Sequence, residues 1–424
     1  MNTTLRYRPL NLGRWLLWGT TALIFVLAPL FSDASFALTL LSQMGILIIF
    51  SLSYNMLLGQ SGMLSFGHAV YSGLGAYIAV HALNFIGKGT LHFPVSLLPL
   101  IGGCAGLVFG SIFGYVTTKK SGTTFAMISL GIGEMVFACV LMFPGFFGGE
   151  GGITTNRVVG SAVLGVTYGP AIQVYYLIAA WAFICMIAMF ALTQTPLGRM
   201  ANAVRDNPER AEFIGYNTQR VRYIQLMLSA FFAGVAGSLS CINYEIVSAE
   251  NVSAIRSGGV LIATFIGGVG LFFGPILGAI LFTLFAIALS SFTKAWLLYL
   301  GLFFLLMVLY APGGVAWLVA IQLPVLRARR LRDLLWPYCL AILAAAVCVI
   351  GLVGSVEMLY HAALESGGDS HIQWFGLNVD VRTPTPWLVT SALLLCGGLA
   401  TRYAMQFVQR RWDTIQLALR QVTT

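Results

Sequence analysis

The chain has 424 residues, of which 58% are hydrophobic and only 9% are charged, with a formal net charge of +9. Its mean hydropathy is +0.87, which excludes a soluble globular domain of this length. The basic residues form short clusters between apolar runs, as the positive-inside rule describes, and no single patch suits a nucleic acid. The seven cysteines show no metal-ligand spacing, so neither a metal site nor a cofactor is expected.

Apolar runs of about 20 residues recur along the chain, and each is long enough to cross a hydrocarbon core of about 30 Å. We predict an all-α, polytopic membrane protein with roughly 12 transmembrane helices: 10 in a core and 2 at the C-terminal end. The predicted spans are 15–31, 37–58, 64–84, 93–116, 123–143, 172–193, 223–243, 257–271, 275–292, 296–311, 334–358 and 386–407. An even number places both termini on one side. The denser basic clusters fall on that side, which is therefore predicted to be cytoplasmic.

The predicted spans divide the chain into two parts. A membrane core covers 1–320, and 321–424 contains a linker, two further spans and a basic cytoplasmic tail. Two long loops, 144–170 and 359–385, are predicted on the outer side. Proline and glycine followed by a basic cluster mark the linker, because both residues end helices.

The most polar part of the core is the segment 195–222, which lies between two spans on the predicted cytoplasmic side. Thr195 and Asn207 are suited to cap two short helices, since each is followed by proline at the first helical position, and Gly215 is suited to end the second. A structured charged loop of this kind suggests docking onto a soluble partner, and hence a transporter driven from outside the chain. The alternative is an ordinary solvated amphipathic loop.

A second polar segment, 58–68, interrupts an apolar region with Gln60, Ser61 and Ser65 and ends at His68. Irregular backbone inside a membrane is tolerated only where it is buried in protein or lines a wet cavity. A broken helix here could therefore line a substrate pathway and offer free N–H groups to a carboxylate. The alternative is a tight cytoplasmic turn, with His68 as an interhelical hydrogen-bonding residue.

Glu134 lies near the middle of a predicted span. A carboxylate at that depth is costly unless it is paired or hydrated, so it either lines a pathway, carries a proton, or makes a buried interhelical hydrogen bond. The sequence slightly favours the hydrogen bond. No catalytic residues are predicted, since neither a phosphate-binding loop nor a nucleophile with a base is present. If transport uses ATP, another subunit binds it.

Several motifs in order carry a family resemblance. The spacing of Glu209, Ala211 and Gly215 resembles the EAA loop of ABC-importer permeases, although Arg210 replaces an alanine of that motif. From 37 to 320 the chain resembles the LivM-type permease subunits of high-affinity branched-chain amino-acid ABC importers. The matching motifs are YNMLLGQSG (54–62), SFGH (65–68), GAY (75–77), GE (133–134), PLGR (196–199), AVRDN (203–207), GGVG (267–270), GP (274–275) and PGG (312–314).

This resemblance implies a multi-pass protein of the bacterial inner membrane, with membrane lipid as its surroundings. Its partners would be a homologous permease, two ATP-binding subunits and a periplasmic substrate-binding protein that meets loop 144–170. Residues assigned to ATPase coupling are Arg205, Asn207, Glu209, Ala211 and Gly215. Residues assigned to the substrate pathway are Gln60, Ser61, Ser65, His68 and Glu134.

The expected substrates are leucine, isoleucine and valine. Families of similar sequence import urea, short amides or aromatic acids, so these remain alternatives for the substrate. A proton-coupled secondary transporter in which Glu134 titrates is the alternative mechanism.

Overall fold

The computed structural model describes residues 12–31, 35–159, 167–327, 332–364, 371–374, 377–380 and 383–423, and these residues are overwhelmingly helical. The α-helices are α1 Leu12–Leu27, α2 Ser35–Ser61, α3 Ala69–Gly87, α4 Leu98–Thr117, α5 Gly122–Met142, α6 Pro144–Phe147, α7 Ala171–Gln194, α8 Pro196–Asp206, α9 Pro208–Phe213, α10 Thr218–Tyr244, α11 Ala254–Gly267, α12 Gly274–Thr283, α13 Trp296–Tyr310, α14 Gly314–Arg327, α15 Arg332–Leu364 and α16 Pro384–Thr423. The predicted fold class, a polytopic helical membrane protein, is confirmed.

Two small antiparallel strand pairs interrupt the helical pattern, both within segments predicted as outer loops. Strands β1 (Ile153–Thr154) and β2 (Ile246–Val247) pair with each other, as do β3 (His371–Trp374) and β4 (Leu377–Asp380). The first pair ties the loop after α5 to the end of α10. Glu365 and Asp369 of the second predicted loop lie outside the described residues.

The described residues contain nine helices that are long and apolar enough to cross a membrane, or ten if α13 and α14, bent by 51°, form one span. The predicted count of twelve is not confirmed. Predicted spans 15–31 and 257–271 correspond to shorter apolar helices, Trp18–Leu30 and Ala254–Gly267. In the second case the helix ends at Gly268, whose φ of 110° is open to glycine and strained for other residues. The cytoplasmic position of both termini stays a prediction.

One compact unit comprises residues 1–291 and 302–317. Its centre is formed where α3, α4 and α10 approach one another at glycine. A Cβ atom on Gly75 would lie 2.7 Å from the Cα atom of Gly234, and one on Gly234 would overlap the carbonyl oxygen of Gly102. Small residues at these points let the helix backbones pack directly together, which in a membrane replaces the hydrophobic driving force available in water.

The second compact unit comprises residues 292–301 and 318–424. Within it, α15 and α16 pack along each other, with Gly351 facing the backbone of Leu394. The Glu357 carboxylate accepts hydrogen bonds from the hydroxyls of Thr293 (2.6 Å) and Tyr299 (3.0 Å). A carboxyl group within an apolar helix is thus satisfied by two donors. The division of the chain at residue 320 stays a prediction.

Candidate functional site

The polar segment 195–222 folds into the two short helices that its sequence predicts. The Thr195 hydroxyl accepts a hydrogen bond from the Gly198 amide at 3.4 Å, and the Asn207 side chain accepts one from the Arg210 amide at 3.0 Å. Gly215 adopts a φ of 90° directly after α9, a left-handed conformation suited to glycine at a helix end. The predicted caps and helix end are confirmed, and they set the bounds of α8 and α9.

One face of α9 is held against the rest of the protein. Ala211 is only 2% exposed and packs with Ala201, Val204 and Val221, which belong to α8 and α10. Glu209 is exposed on the other face. The alanine of the predicted motif therefore lets α9 lie close to α8 and α10, while the glutamate is available to a partner.

The exposed end of α9 carries two large apolar side chains. Phe213 is 91% exposed and Ile214 is 71% exposed, at the tip of a loop otherwise rich in charge. Exposed apolar groups rimmed by charged ones are typical of protein interaction sites. Sequence reasoning concentrated on the charges and missed this pair, although two adjacent apolar residues just before Gly215 were the available signal.

Arg205 points away from this tip and towards α2. Its guanidinium donates hydrogen bonds to the Gly59 carbonyl and to the Asp206 carboxylate, the latter at 2.9 Å. Gly59 lies in the last turn of α2, where carbonyl groups lack intrahelical partners. Arg205 thus satisfies a helix end and links α8 directly to the point where α2 stops.

Between the end of α2 at Ser61 and the start of α3 at Ala69 the chain forms a non-helical connection, here called the broken segment. Whether it lines a pathway or is a cytoplasmic turn stays a prediction. Residues 62–68 are non-helical, and most of them are buried. The Ser65 carbonyl accepts a hydrogen bond from the Tyr54 hydroxyl (3.0 Å), and the Phe66 amide donates to the Ser129 hydroxyl (3.0 Å). At the start of α3, the Ala69 amide donates to the Ser257 hydroxyl at 3.0 Å. Side chains from three helices, α2, α5 and α11, therefore satisfy polar backbone groups of this irregular stretch, as burial away from water requires.

The predicted pathway residues of this segment lie inside the bundle. Gln60, Ser61, Ser65 and His68 are each at most 7% exposed. Gln60 accepts a hydrogen bond from the Gln225 side chain at 2.8 Å, and His68 Nε2 lies 3.0 Å from the Ser53 hydroxyl. The expectation that His68 makes an interhelical hydrogen bond is confirmed. Whether these residues line a pathway stays a prediction.

Glu134 does not make the buried hydrogen bond that the sequence favoured. It is exposed on α5 and has no hydrogen-bond or ion-pair partner among the described residues. The buried face of α5 instead uses Ser129 and Gly133 against residues 66–67. Its exposed face continues through Met127 (70%), Met135 (51%) and Met142 (72%). Helical spacing alone could not tell which face Glu134 would occupy, because both faces of this helix are apolar.

At the other end of the bundle, Arg157 anchors the predicted outer loop 144–170. Its backbone amide donates to the Glu245 carboxylate at 2.8 Å, and its side chain donates to the Tyr168 carbonyl (2.8 Å) and the Asn243 carbonyl (3.2 Å). Together with the β1–β2 pairing, these contacts hold described parts of the loop against the end of α10. The described parts of the loop are thus held by hydrogen bonds at the end of the bundle opposite Arg205.

Residues 36–312 match the model of the family described as branched-chain amino acid transport system / permease component. This range contains the broken segment, the two loop helices and the glycine contacts. The chain belongs to this family. Its membership and its apolar helices confirm the LivM-type resemblance and the predicted localisation as a multi-pass inner-membrane protein.

Individual relatives agree with the family assignment. The chain is 28% identical, over 291 residues, to the high-affinity branched-chain amino acid transport system permease protein LivM of Escherichia coli (64% of this chain and 67% of the relative). It is 23% identical, over 243 residues, to the high-affinity branched-chain amino acid transport system permease protein BraD of Pseudomonas aeruginosa, and the aligned region covers 55% of this chain and 78% of BraD. The fructose import permease protein FrcC of Rhizobium meliloti is 25% identical over 243 residues, and the aligned region covers 50% of this chain and 61% of FrcC. No solved structure matches the chain.

As a member of this family, the chain is a membrane permease subunit and not itself an ATPase. Family membership also implies, in general terms, ATPase and substrate-binding partners.

Proposed function

We propose that this chain is the transmembrane permease subunit of an ABC importer that moves leucine, isoleucine and valine across the bacterial inner membrane. It would pair with a homologous permease, two ATP-binding subunits would drive it, and a periplasmic binding protein would deliver substrate at the end of the bundle near Arg157. The family match over 36–312 supports the transporter class, and the LivM and BraD relatives support the substrate.

The observation that carries the mechanism is the exposed tip of α9. Phe213 and Ile214 project from a capped helix whose other face is fixed by Ala211. A short helix packed on one face, with an apolar anchor and a charged rim on the other, suits docking into a groove of an ATP-binding subunit. Arg205 would then transmit movement of this loop to the end of α2 at Gly59, and so to the broken segment that carries Ser65 and His68.

The exposed face of α5 is assigned to the homologous permease. A carboxylate facing lipid near the middle of a span costs several kcal/mol, so Glu134 has to face protein or water in the assembled importer. The methionines beside it provide flexible side chains that adapt to a partner surface. In this proposed arrangement Glu134 would lie at the boundary between the two permeases and would line the pathway beside the broken segment.

The test is uptake of labelled leucine by vesicles that contain the full importer, with ATP supplied and the proton gradient collapsed. We expect ATP-dependent uptake that excess isoleucine blocks and that urea, benzoate and fructose do not. Uptake that required the proton gradient and ignored ATP would refute the ABC mechanism. If leucine were not transported, the assay would be repeated with each competitor labelled.

Sugar import is the second candidate, and the identity to FrcC favours it. A galactose/methyl galactoside import permease protein, MglC of Salmonella typhimurium, is also 28% identical over 290 residues. ATP-dependent uptake of fructose or galactose without leucine uptake would select this candidate. The mechanism would be the same and only the cargo would differ.

A further inference from the structure

A cavity lies between α2, α10, α11 and α12, and none of the residues that line it belongs to the broken segment. Its volume is about 300 Å³, at the lower end of the range for small-molecule sites. Its walls include Ile46, Phe50, Val260 and Phe282, which are apolar. The cavity is therefore large enough for a small ligand with a hydrocarbon part.

Arg256, in the first turn of α11, brings a positive charge to this cavity. Its guanidinium donates hydrogen bonds to the Asn251 side-chain oxygen and to the Ser240 hydroxyl, the latter at 3.3 Å. Both partners are neutral, and among the described residues no carboxylate lies within ion-pair distance of Arg256. A partly buried cation in an apolar protein is costly when no anion compensates it, which leaves the site suited to an anionic ligand.

The other polar groups of the cavity restrict the ligand further. Gln43, Tyr244 and Thr283 line it with oxygen atoms that can accept hydrogen bonds, whereas no acidic side chain is part of the lining. A guanidinium matches a carboxylate through two parallel hydrogen bonds. Apolar walls match a branched hydrocarbon side chain, and neutral oxygen atoms can accept from an ammonium group.

We propose that this cavity is a binding site for a small carboxylate with an apolar side chain, in which Arg256 binds the carboxylate and Phe50 and Phe282 contact the side chain. The inference rests on the proposed function and narrows its substrate class. Branched-chain amino acids and aromatic acids fit these requirements. Urea, short amides and neutral sugars lack the negative charge that Arg256 requires.

The test uses the full-length chain in nanodiscs of phosphatidylcholine, without the binding protein, and measures equilibrium binding of labelled leucine. We expect saturable binding that unlabelled leucine and isovalerate displace, and that leucinamide, which lacks the carboxylate, does not. Arg256→Gln should weaken binding at least tenfold. The matched control is Arg402→Gln, which removes an exposed arginine of α16 and should leave binding unchanged.

A second variant protects the test against misfolding of Arg256→Gln. Ala286→Phe adds a ring to the cavity lining without changing its charge, and it should also weaken leucine binding. Three results would each overturn the proposal: no saturable binding by the wild type, unchanged binding in Arg256→Gln, or displacement of leucine by phosphatidylglycerol. The last would show that a lipid phosphate occupies the cavity.

Leucine uptake by the complete importer distinguishes failure of the cavity assignment from failure of the proposed importer function. ATP-dependent leucine uptake that Arg256→Gln leaves unchanged would overturn the cavity assignment and leave the importer proposal standing. Absence of ATP-dependent leucine uptake in the wild-type importer would overturn the importer proposal itself.

Discussion

The link between Arg205 and Gly59 gives the sharpest prediction, because it joins the loop assigned to ATPase docking with the end of α2. Arg205→Met removes the guanidinium but keeps the aliphatic stem, which passes close to Gly62. We expect the variant to bind the ATP-binding subunits normally, since Arg205 points towards α2 and not towards the exposed tip of α9.

The expected loss of transport follows from the two contacts that Arg205→Met removes, those to Gly59 and to Asp206. A hydrogen bond from a charged donor contributes about 1.5–3 kcal/mol, and the Arg205 side chain is 37% exposed, so the lower value of about 1.5 kcal/mol applies. The neighbouring ion pair with Asp206 is exposed and contributes less than about 1 kcal/mol. If the hydrogen bond to Gly59 exists in only one of the two transport states, its loss changes the rate of transport by about tenfold, because about 1.4 kcal/mol corresponds to each factor of ten.

The assay is ATP hydrolysis stimulated by the loaded binding protein, measured together with leucine uptake and co-purification of the ATP-binding subunits. Arg205→Met should reduce stimulation and uptake about tenfold, with co-purification intact. Asp206→Asn, the matched control, removes the exposed carboxylate and should change uptake less than about threefold. Uptake by Arg205→Met within twofold of wild type, with the subunits assembled, would refute the proposed transmission.

Three further predictions test other parts of the molecule. Phe213→Asp should abolish co-purification of the ATP-binding subunits, because it places a charge in the apolar anchor. The control, Val158→Asp at the opposite end of the bundle, should leave co-purification intact. Retained association of the ATP-binding subunits with Phe213→Asp would contradict the proposed docking surface. Glu134→Leu should lower uptake at least tenfold without affecting membrane insertion, and normal uptake would mean that Glu134 faces neither the pathway nor the second permease. Gly234→Val should destabilise the protein by about 1–3 kcal/mol, because its side chain would overlap the Gly102 backbone, and the measurement is a lower unfolding midpoint. The control is Gly301→Ala, where no atom lies within 4 Å of the added carbon. Equal unfolding midpoints for the two variants would contradict the packing argument.

The sequence was sufficient where the governing interactions are local. Thr195, Asn207 and Gly215 act on amides and dihedral angles within a few residues, so the two loop helices were predicted correctly. The connection between α2 and α3 was visible in the sequence as a polar interruption at 58–68. Its two interpretations could not be separated, because the partners that satisfy it, among them Ser129 and Ser257, are distant in the sequence.

The orientation of a helix face and the contacts between residues far apart in the sequence could not be predicted, because neither is set by neighbouring residues alone. Arg205 was assigned to the ATPase interface from its place in a charged loop, yet its partner Gly59 lies 146 positions away. The interpretation of Glu134 failed because in a membrane the lipid-facing and protein-facing sides of a helix are both apolar, so periodicity does not mark burial. The count of twelve spans is not confirmed, and the predicted span 257–271 corresponds to a shorter helix that ends where Gly268 adopts a positive φ.

The carboxylate of Glu357 gives the C-terminal helices a structural dependence on the middle of the chain. Its two donors, Thr293 and Tyr299, are contributed by residues 292–301, which precede the last segment of the first unit. Deleting everything after residue 320 would therefore remove the acceptor and leave two hydroxyl groups in an apolar setting without it. Residues 292–301 and the C-terminal helices therefore share these hydrogen bonds, and a cut between them removes partners from both sides.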